Sequence, residues 1–323
     1  MSGGEVDNTK RLIALLLIGA IFPLKLAVET FGGPNDFSYF WNAARSALYG
    51  SPTIGWFPYP PQALFLYLPF APLPFHAAWA VFNFYGLALF LLAARPYLPK
   101  GFPPFLAICT PAALICVVFG QTGLIVGALW LWAFGGRWPA VAVLTFKPHL
   151  GILSVLSLNR RTFLPTVILA GAIILASVAV FPEWWGQLPN QLLRQSGQIG
   201  QRARWDDIGI GPAIAYGFFI WAGLAVAALY LLARDVNVWS AATAALIVSP
   251  YAFHYDMPVA SLGFALALCK ERSVARNVLL TLALWLPILV QFGAWIAPPV
   301  LLGTLWAQTS GSSRFSVSAL RRT

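Results

Sequence analysis

The chain has 323 residues, of which 59% are hydrophobic and 9% are charged, with a formal net charge of +10. Soluble domains carry about 25% charged residues, so a chain this poor in charge cannot cover a water-facing surface. Nucleic-acid binding is excluded despite the positive charge, because it requires a water-facing basic surface. The composition therefore predicts an integral membrane protein.

Apolar runs predict many membrane-spanning helices, each of which needs about 20 residues, or fewer where the bilayer thins. In chain order these runs are Leu12–Val28, Gln62–Leu73, Phe75–Ala94, Pro104–Phe119, Thr122–Phe134, Trp138–Leu158, Phe163–Phe181, Pro212–Ala233, Val238–Pro250, Met257–Cys269, Asn277–Phe292 and Trp295–Ala307. The shorter runs also suit re-entrant segments. The predicted fold is an all-α polytopic membrane bundle of about 10 to 12 transmembrane helices.

The basic residues predict the orientation of this bundle. With the N-terminus in the cytoplasm, Arg160, Arg234, Lys270 and the basic C-terminal residues lie inside, as the positive-inside rule requires. Three basic residues then fall outside, against the rule, and these are Arg95, Lys100 and Arg137.

The predicted organisation is a single transmembrane domain over residues 1–310, followed by a cytoplasmic tail at 311–323. The basic pair Lys10-Arg11 precedes an apolar run, as in a signal peptide, but no small-residue cleavage site follows. We therefore expect a retained first helix. Two long loops that contain polar residues, 29–61 and 182–211, lie on the outer face in this topology.

The first outer loop predicts an amphipathic helix. Gly32-Gly33-Pro34-Asn35 is a turn signal, and Asn35 or Asp36 is a suitable cap for a following helix. Apolar residues then recur at helical spacing, at Phe37, Phe40, Trp41, Ala44 and Leu48. We expect this helix to lie in the membrane interface rather than cross the bilayer, with Asp36 in its first turn.

Asp36 is the leading candidate for a catalytic residue, because it lies among aromatic residues at the start of this helix. Tyr39, Arg45 and Tyr59 belong to the same outer loop and are candidate substrate-binding residues. A helix N-terminus favours the ionised carboxylate, which suits a proton acceptor but lowers its basicity. The alternative for Asp36 is a purely structural role as an N-cap.

Further candidates lie later in the chain. Lys147 lies within an apolar run, where an ionisable residue is a functional hypothesis by default. It either faces the bundle interior and binds a phosphate, or extends toward the nearer interface. His254 follows a predicted span on the outer face and is a candidate ligand of the donor. Arg202 and Arg204 in the second outer loop match phosphate oxygens, with a solvated run of mutual ion pairs as the alternative.

Taken together, these segments resemble glycosyltransferase family 87, a group of polytopic enzymes of the GT-C class that take a sugar from a polyprenyl-phosphate carrier. The resemblance runs from about Leu12 to His254. It is carried, in order, by Asp36-Phe37-Ser38-Tyr39-Phe40, Ala43-Ala44, Gly50, Tyr59-Pro60-Pro61, Leu73-Pro74, Ala78-Trp79, Asn83, Gly120-Gln121-Thr122, Lys147-Pro148, Arg160-Arg161, Ser249-Pro250 and His254.

The resemblance implies a GT-C-like bundle whose first outer loop carries interfacial helices over a cavity, with Asp36 as the catalytic base. Many GT-C enzymes have paired acidic residues in this loop, whereas Asp36 is followed by Phe37. This departure argues against a metal ion held by an acidic pair.

The predicted reaction is inverting transfer of a hexose, most often mannose in such enzymes, from polyprenyl phosphate to a lipid-linked or envelope acceptor hydroxyl. The polyprenyl-phosphate sugar is the donor substrate, the bilayer is the reservoir, and we expect no cofactor or metal ion. The predicted location is a bacterial plasma membrane, with the active site on the periplasmic side. Two other classes fit the hydropathy: a transporter or lipid flippase, and an envelope polysaccharide ligase or polymerase.

Overall fold

The computed structural model describes residues 3–30, 36–50, 57, 59–190, 210–249 and 252–310. Regular structure in these ranges is α-helical or 3-10 helical, without a β-strand. The α-helices are α1 (Gly3–Thr30), α2 (Asp36–Tyr49), α3 (Leu64–Tyr67), α4 (Phe75–Ala94), α5 (Pro111–Phe119), α6 (Gly123–Phe134), α7 (Pro139–Val143), α8 (Pro148–Gly151), α9 (Arg160–Val180), α10 (182–190), α11 (Pro212–Tyr216), α12 (Phe218–Leu232), α13 (Val238–Val248), α14 (Pro258–Leu268), α15 (Val274–Leu289) and α16 (Ala297–Ser310). The prediction of an all-α protein is confirmed for this part of the chain.

Among the described residues, four helices are long and apolar enough to cross a membrane. They are Lys10–Glu29, Phe75–Tyr97, Arg160–Val180 and Val274–Phe292. Large apolar side chains on these helices, such as Leu24, Phe84 and Leu175, are exposed. Extended apolar surfaces of this kind mark a membrane or partner interface. Shorter apolar helices occupy further predicted spans, at Gly123–Phe134, Pro148–Ser157, Phe218–Leu232, Val238–Val248 and Pro258–Leu268.

Several predicted spans are interrupted, and the prediction of a continuous helix is wrong for them. Trp138–Leu158 is broken at Lys147, whose φ of −134° and ψ of 66° are not helical. The cause is Pro148, because the residue before a proline is driven out of the α region. Pro212–Ala233 is broken at Gly217, which has a φ of +81°. Gln62–Leu73 contains only short 3-10 and α turns, which follow the prolines in this segment.

Helix α2 begins at Asp36, which confirms the prediction that Asp36 lies in its first turn. Its buried face consists of Phe37, Phe40, Ala43 and Ala44, and it packs against α3, α4 and the turn between them. These side chains are core residues of the protein. The prediction that this apolar face lies in the membrane interface is therefore wrong for them. The predicted cap residue Asn35 lies outside the described residues.

Helix α6 forms the centre of the described structure. It is apolar on all sides, and only Trp132 and Phe134 of its 12 residues are not buried. A helix with this pattern belongs in a core, and α6 packs against α4, α7 and α14. Its N-terminal end also contacts the 3-10 turn His254–Asp256. This contact brings two segments that are distant in the chain next to the start of α6.

A Gly123→Ala substitution at the start of α6 is expected to destabilise the protein by about 1–3 kcal/mol. A Cβ at this position would lie 1.8 Å from the Tyr255 carbonyl oxygen, so the backbone of the neighbouring turn would have to move. Thermal unfolding in detergent should show a lower melting temperature. The matched control is Gly171→Ala in α9, where no atom lies within 4 Å of the added Cβ. Equal losses in the two variants would contradict the close approach.

Candidate functional site

The turn Gly120-Gln121-Thr122 joins α5 to α6 and forms the base of the candidate site. Gly120 ends α5 in the left-handed conformation, with φ of 63° and ψ of 42°, which glycine adopts at little cost. A Cβ at Gly120 would lie 2.5 Å from Phe37 Cβ and 3.0 Å from Trp79 Cδ1. The absence of a side chain at Gly120 therefore lets the first turn of α2 pack directly on this turn.

This packing places Asp36 beside Gln121. The amide Nε2 of Gln121 donates a hydrogen bond of 2.5 Å to Asp36 Oδ2. Gln121 is buried, with 3% of its surface exposed, while Asp36 is half-buried. The contact joins residues that are 85 positions apart in the chain. Asp36 is thus a carboxylate with a fixed orientation at the edge of the protein core.

Tyr59 is a buried polar residue next to this turn. Its hydroxyl lies 3.5 Å from Thr122 Oγ1, and its ring lies 5.3 Å from that of Phe40 in α2. Burial raises the pKa of Tyr59 above its usual value, although the nearby Lys147 ammonium opposes this shift. The side chain is therefore a neutral hydroxyl that can donate or accept a hydrogen bond.

Lys147 and Asp256 form a buried ion pair at the inner end of the site. The Lys147 Nζ lies 2.5 Å from Asp256 Oδ1, and the two side chains are 3% and 0% exposed. The ammonium also lies 5.3 Å from the ring of Tyr59 and 5.4 Å from that of Tyr255. Asp256 Oδ2 accepts a second hydrogen bond, from the Phe253 backbone N–H at 3.0 Å.

The ion pair settles the orientation of Lys147. Its side chain faces the protein interior, so the alternative in which it extends toward the interface is wrong. The break before Pro148 explains this geometry, because Lys147 lies between two helical segments rather than on the side of one. Its partner is a protein carboxylate, and a buried charge requires such compensation.

His254 lies on the same 3-10 turn as Asp256. It is buried, and its ring stands perpendicular to that of Phe119 at 6.2 Å. Phe119 is the last residue of α5, directly before the Gly120 turn. The structure therefore brings four predicted site residues to one region: Asp36, Tyr59, Lys147 and His254.

The other predicted site residues are placed differently. Arg45 follows Asp36 by nine residues, which at about 100° per residue turns its side chain to the opposite side of α2. Its guanidinium donates to the Ala71 carbonyl at 3.3 Å and lies over the ring of Trp41 at 4.8 Å. Tyr39 is half exposed. The predicted phosphate ligands Arg202 and Arg204 lie outside the described residues.

Sequence reasoning missed the roles of Gln121 and Asp256. Gln121 was identified only as part of the motif Gly120-Gln121-Thr122, and Asp256 was not among the predicted site residues. A signal for Asp256 was present, because a lysine in an apolar run requires a negative partner, and the chain has only 10 acidic residues. No comparable signal connects Gln121 to Asp36, because a side-chain hydrogen bond between distant segments does not change the hydrophobic periodicity of the sequence.

A small cavity of about 20 Å³ adjoins Asp256. Most of its walls are apolar side chains of α6, α13 and α14, such as Val126, Leu246 and Val259. This volume suits a single water molecule. The cavity is too small for a sugar or a phosphate.

Comparisons with protein-family models, with curated proteins and with solved structures found no match for this chain. The family resemblance therefore depends on the motif residues alone. Among the described residues, Asp36 contacts Gln121, Tyr59 contacts Thr122, and the Lys147 ammonium lies 5.3 Å from the ring of Tyr59.

Proposed function

We propose that the protein is a membrane glycosyltransferase similar to family 87, which moves a hexose, mannose in the first instance, from a polyprenyl-phosphate carrier to an acceptor hydroxyl. The supporting observation is the arrangement of Asp36, held by Gln121, at the outer end of a row of polar groups that leads to Lys147. A carboxylate suits the removal of a proton from the acceptor. A buried cation suits a phosphate leaving group.

The reaction that these groups would support is an inverting displacement. The acceptor oxygen attacks the anomeric carbon and forms a new C–O bond, while the bond from that carbon to the phosphate oxygen breaks. The acceptor proton passes to Asp36, and the polyprenyl phosphate leaves with the electron pair as a stable anion. Lys147 would donate a further N–H to this anion while it stays paired with Asp256, because an ammonium group has three donors.

The proposal also includes the location of the protein in a membrane. In the described part of the chain, four helices are long and apolar enough to cross a bilayer, and a lipid-borne donor would reach the site from that phase. We place the protein in the bacterial plasma membrane as a GT-C-like bundle of about 10 to 12 spans. Asp36 would then face the periplasm, where lipid-linked or envelope acceptors are found.

The proposal is tested by an assay for transfer of a radiolabelled sugar. Purified full-length protein in lipid nanodiscs is incubated with radiolabelled polyprenyl-phosphate mannose, glucose or galactose, together with a bacterial lipid and glycan extract. Label in a new product, present with the wild-type protein and absent with Asp36→Asn, would support the proposal. No transfer from any donor by well-folded protein would count against it.

A transporter or lipid flippase is the second candidate, and one observation favours it. The Lys147–Asp256 pair is buried, and Lys147 lies at the break in a predicted span; buried ionisable residues at broken helices are typical of transport pathways. Flipping of a fluorescent polyprenyl-phosphate sugar in proteoliposomes separates the two functions. A flippase should retain its flipping activity in Asp36→Asn, whereas a transferase should lose sugar transfer in the same variant.

A ligase or polymerase would instead place essential groups in the loop at 182–211, of which residues 191–209 lie outside the described ranges. Alanine substitutions in this loop and in the loop at 29–61, assayed separately, distinguish this class from the first. Loss of transfer confined to the later loop would favour a ligase or polymerase.

A further inference from the structure

Helices α6 and α14 both lead away from the candidate site. Each begins beside it, because Gly123 at the start of α6 lies against the Tyr255 backbone, and α14 begins two residues after the 3-10 turn that contains Tyr255. The 12 residues of α6 span about 18 Å. The residues that follow these two helices therefore lie at the end of the bundle opposite Asp36.

The segment after α4 reaches the same end of the bundle. Tyr97 donates a hydrogen bond of 2.6 Å to the Leu131 carbonyl in the last turn of α6. Its ring also lies 5.6 Å from that of Trp239 in the first turn of α13. The end of α4, the end of α6 and the start of α13 thus meet there, with Arg95 and Lys100 on either side of Tyr97.

These helix ends bring exposed cations together on one surface. We call this surface the basic end, and its exposed lysine and arginine side chains are Arg95, Lys100, Arg137, Arg234, Lys270 and Arg272. Two acidic residues lie in the same connecting segments, and both have partners. Asp235 accepts a hydrogen bond from the amide of Asn237, and Glu271 pairs with Arg276 at 3.7 Å. The basic end therefore has a net positive charge.

Aromatic side chains accompany the cations of the basic end. The Arg137 guanidinium lies 5.5 Å from the ring of Trp132. Arg234 lies over the ring of Tyr230 at 4.7 Å and donates to its hydroxyl at 2.9 Å, although this ring is 63% exposed. Tyrosine and tryptophan next to basic residues at the ends of apolar helices are typical of a membrane–water interface. The basic end thus has the chemistry of a surface at headgroup level.

The basic end corrects the predicted orientation of three cations. The predicted topology places Arg95, Lys100 and Arg137 on the outer face, opposite Arg234 and Lys270. In the structure all five lie at one end of the bundle, so this part of the topology is wrong.

The error arises because residues 62–73 do not cross the bundle. The segment begins after Tyr59, which contacts Thr122 at the candidate site. It ends at Leu73, whose carbonyl accepts a hydrogen bond of 3.2 Å from Trp41 of α2. Both ends of the segment therefore lie on the Asp36 side, so α4 begins on that side and ends at the basic end.

We propose that the basic end binds the phosphate headgroups of anionic phospholipids in the cytoplasmic leaflet. Its exposed cations are complementary to these phosphates, and each lysine or arginine near an anionic membrane surface strengthens the attraction. With the basic end in the cytoplasm, the positive-inside rule holds without the three exceptions. This inference is independent of the proposed function, because a transporter with the same fold would have the same surface.

The orientation is tested by labelling single cysteines with a membrane-impermeant maleimide in intact bacterial cells. The full-length chain carries one added cysteine, and its three native cysteines are replaced by alanine. Lys100→Cys and Arg272→Cys should both react only after the cells are opened. Tyr49→Cys, at the exposed end of α2, should react in intact cells. Reaction of Lys100→Cys in intact cells would overturn the inference.

Lipid binding is measured by electron paramagnetic resonance with spin-labelled phosphatidylglycerol and phosphatidylcholine in bilayers of phosphatidylcholine. Wild type should prefer phosphatidylglycerol about fivefold at low salt, the effect of about one basic residue at the surface. The preference should fall at about 1 M salt, where the Debye length is about 3 Å.

Two variants of the same three positions show whether charge at the basic end causes this preference. Replacing Arg95, Lys100 and Arg137 by glutamine should lower it to about twofold, because fewer cations remain. Exchanging lysine and arginine at the same positions should leave it unchanged. Lys25→Gln, which removes an exposed cation of α1, is the control and should match wild type.

A full preference in the glutamine variant would overturn the inference, as would a wild-type preference that persists at high salt. A wild-type protein without any preference would also overturn it and would indicate an acidic protein as the partner of the basic end. If the glutamine variant fails to fold, the salt dependence of wild type decides the outcome.

Discussion

Replacing Asp36 by asparagine is expected to lower the rate of sugar transfer by about 10²–10⁴-fold, the usual contribution of a general base. Asparagine has nearly the same shape as aspartate, and its carbonyl oxygen can still accept the hydrogen bond from Gln121. The fold should therefore survive while the proton acceptor is lost. The measurement is the initial rate of label transfer at saturating donor, with thermal unfolding of each variant in parallel.

The control for this prediction is Glu183→Gln in α10, which neutralises an exposed carboxylate on the same predicted face. Its transfer rate should equal that of wild type. Asp36→Glu should retain part of the activity, because it keeps the carboxylate but displaces it by one methylene. Full activity in Asp36→Asn would remove the base from the mechanism and favour the capping role for this residue.

Replacing Lys147 by methionine is expected to destabilise the protein by about 3–5 kcal/mol, because it leaves Asp256 charged, buried and without its cation. Asp256→Asn should cost a similar amount for the opposite reason, although the asparagine oxygen still accepts the bond from the Phe253 N–H. The measurement is unfolding in detergent, by heat or by titration with a denaturing detergent.

The double variant with Lys147→Met and Asp256→Asn should be more stable than either single variant, because neither charge remains to be compensated. The exposed pair Lys25–Glu29, at 3.6 Å, provides the control. Lys25→Met should change stability little, since exposed ion pairs contribute little. Additive losses in the double variant would show that Lys147 and Asp256 do not interact in the folded protein.

Part of the fold was predictable from local patterns. The apolar runs gave α4 with its observed bounds, Phe75–Ala94, and placed the start of α6 within one residue. The turn signal and helical spacing placed Asp36 in the first turn of α2, as observed. Each of these features depends on residues that are neighbours in the chain, so helical periodicity was enough.

At other helix ends, hydropathy predicted the wrong boundary, because a capping residue or a proline determines where the helix begins or ends. The predicted span Phe163–Phe181 begins instead at Arg160, because the side chain of Asn159 caps the helix through Arg161 N and Thr162 N. Hydropathy places the boundary at the first apolar residue, whereas the cap places it directly after the capping residue Asn159. Pro148 likewise interrupts the predicted span Trp138–Leu158, which its apolar composition had indicated as one continuous helix.

The sequence by itself determined that the described part of the chain is helical and rich in apolar helices, and it supplied a short list of candidate residues, because charge content, apolar runs and turn signals are local properties. Only the tertiary structure decided how these residues pair. Asp36 meets Gln121 across 85 residues and Lys147 meets Asp256 across 109, whereas Arg45 points away from both. Such pairings depend on how close helices approach, as at Gly120 and Gly123, and that distance is set by the packing of the whole bundle.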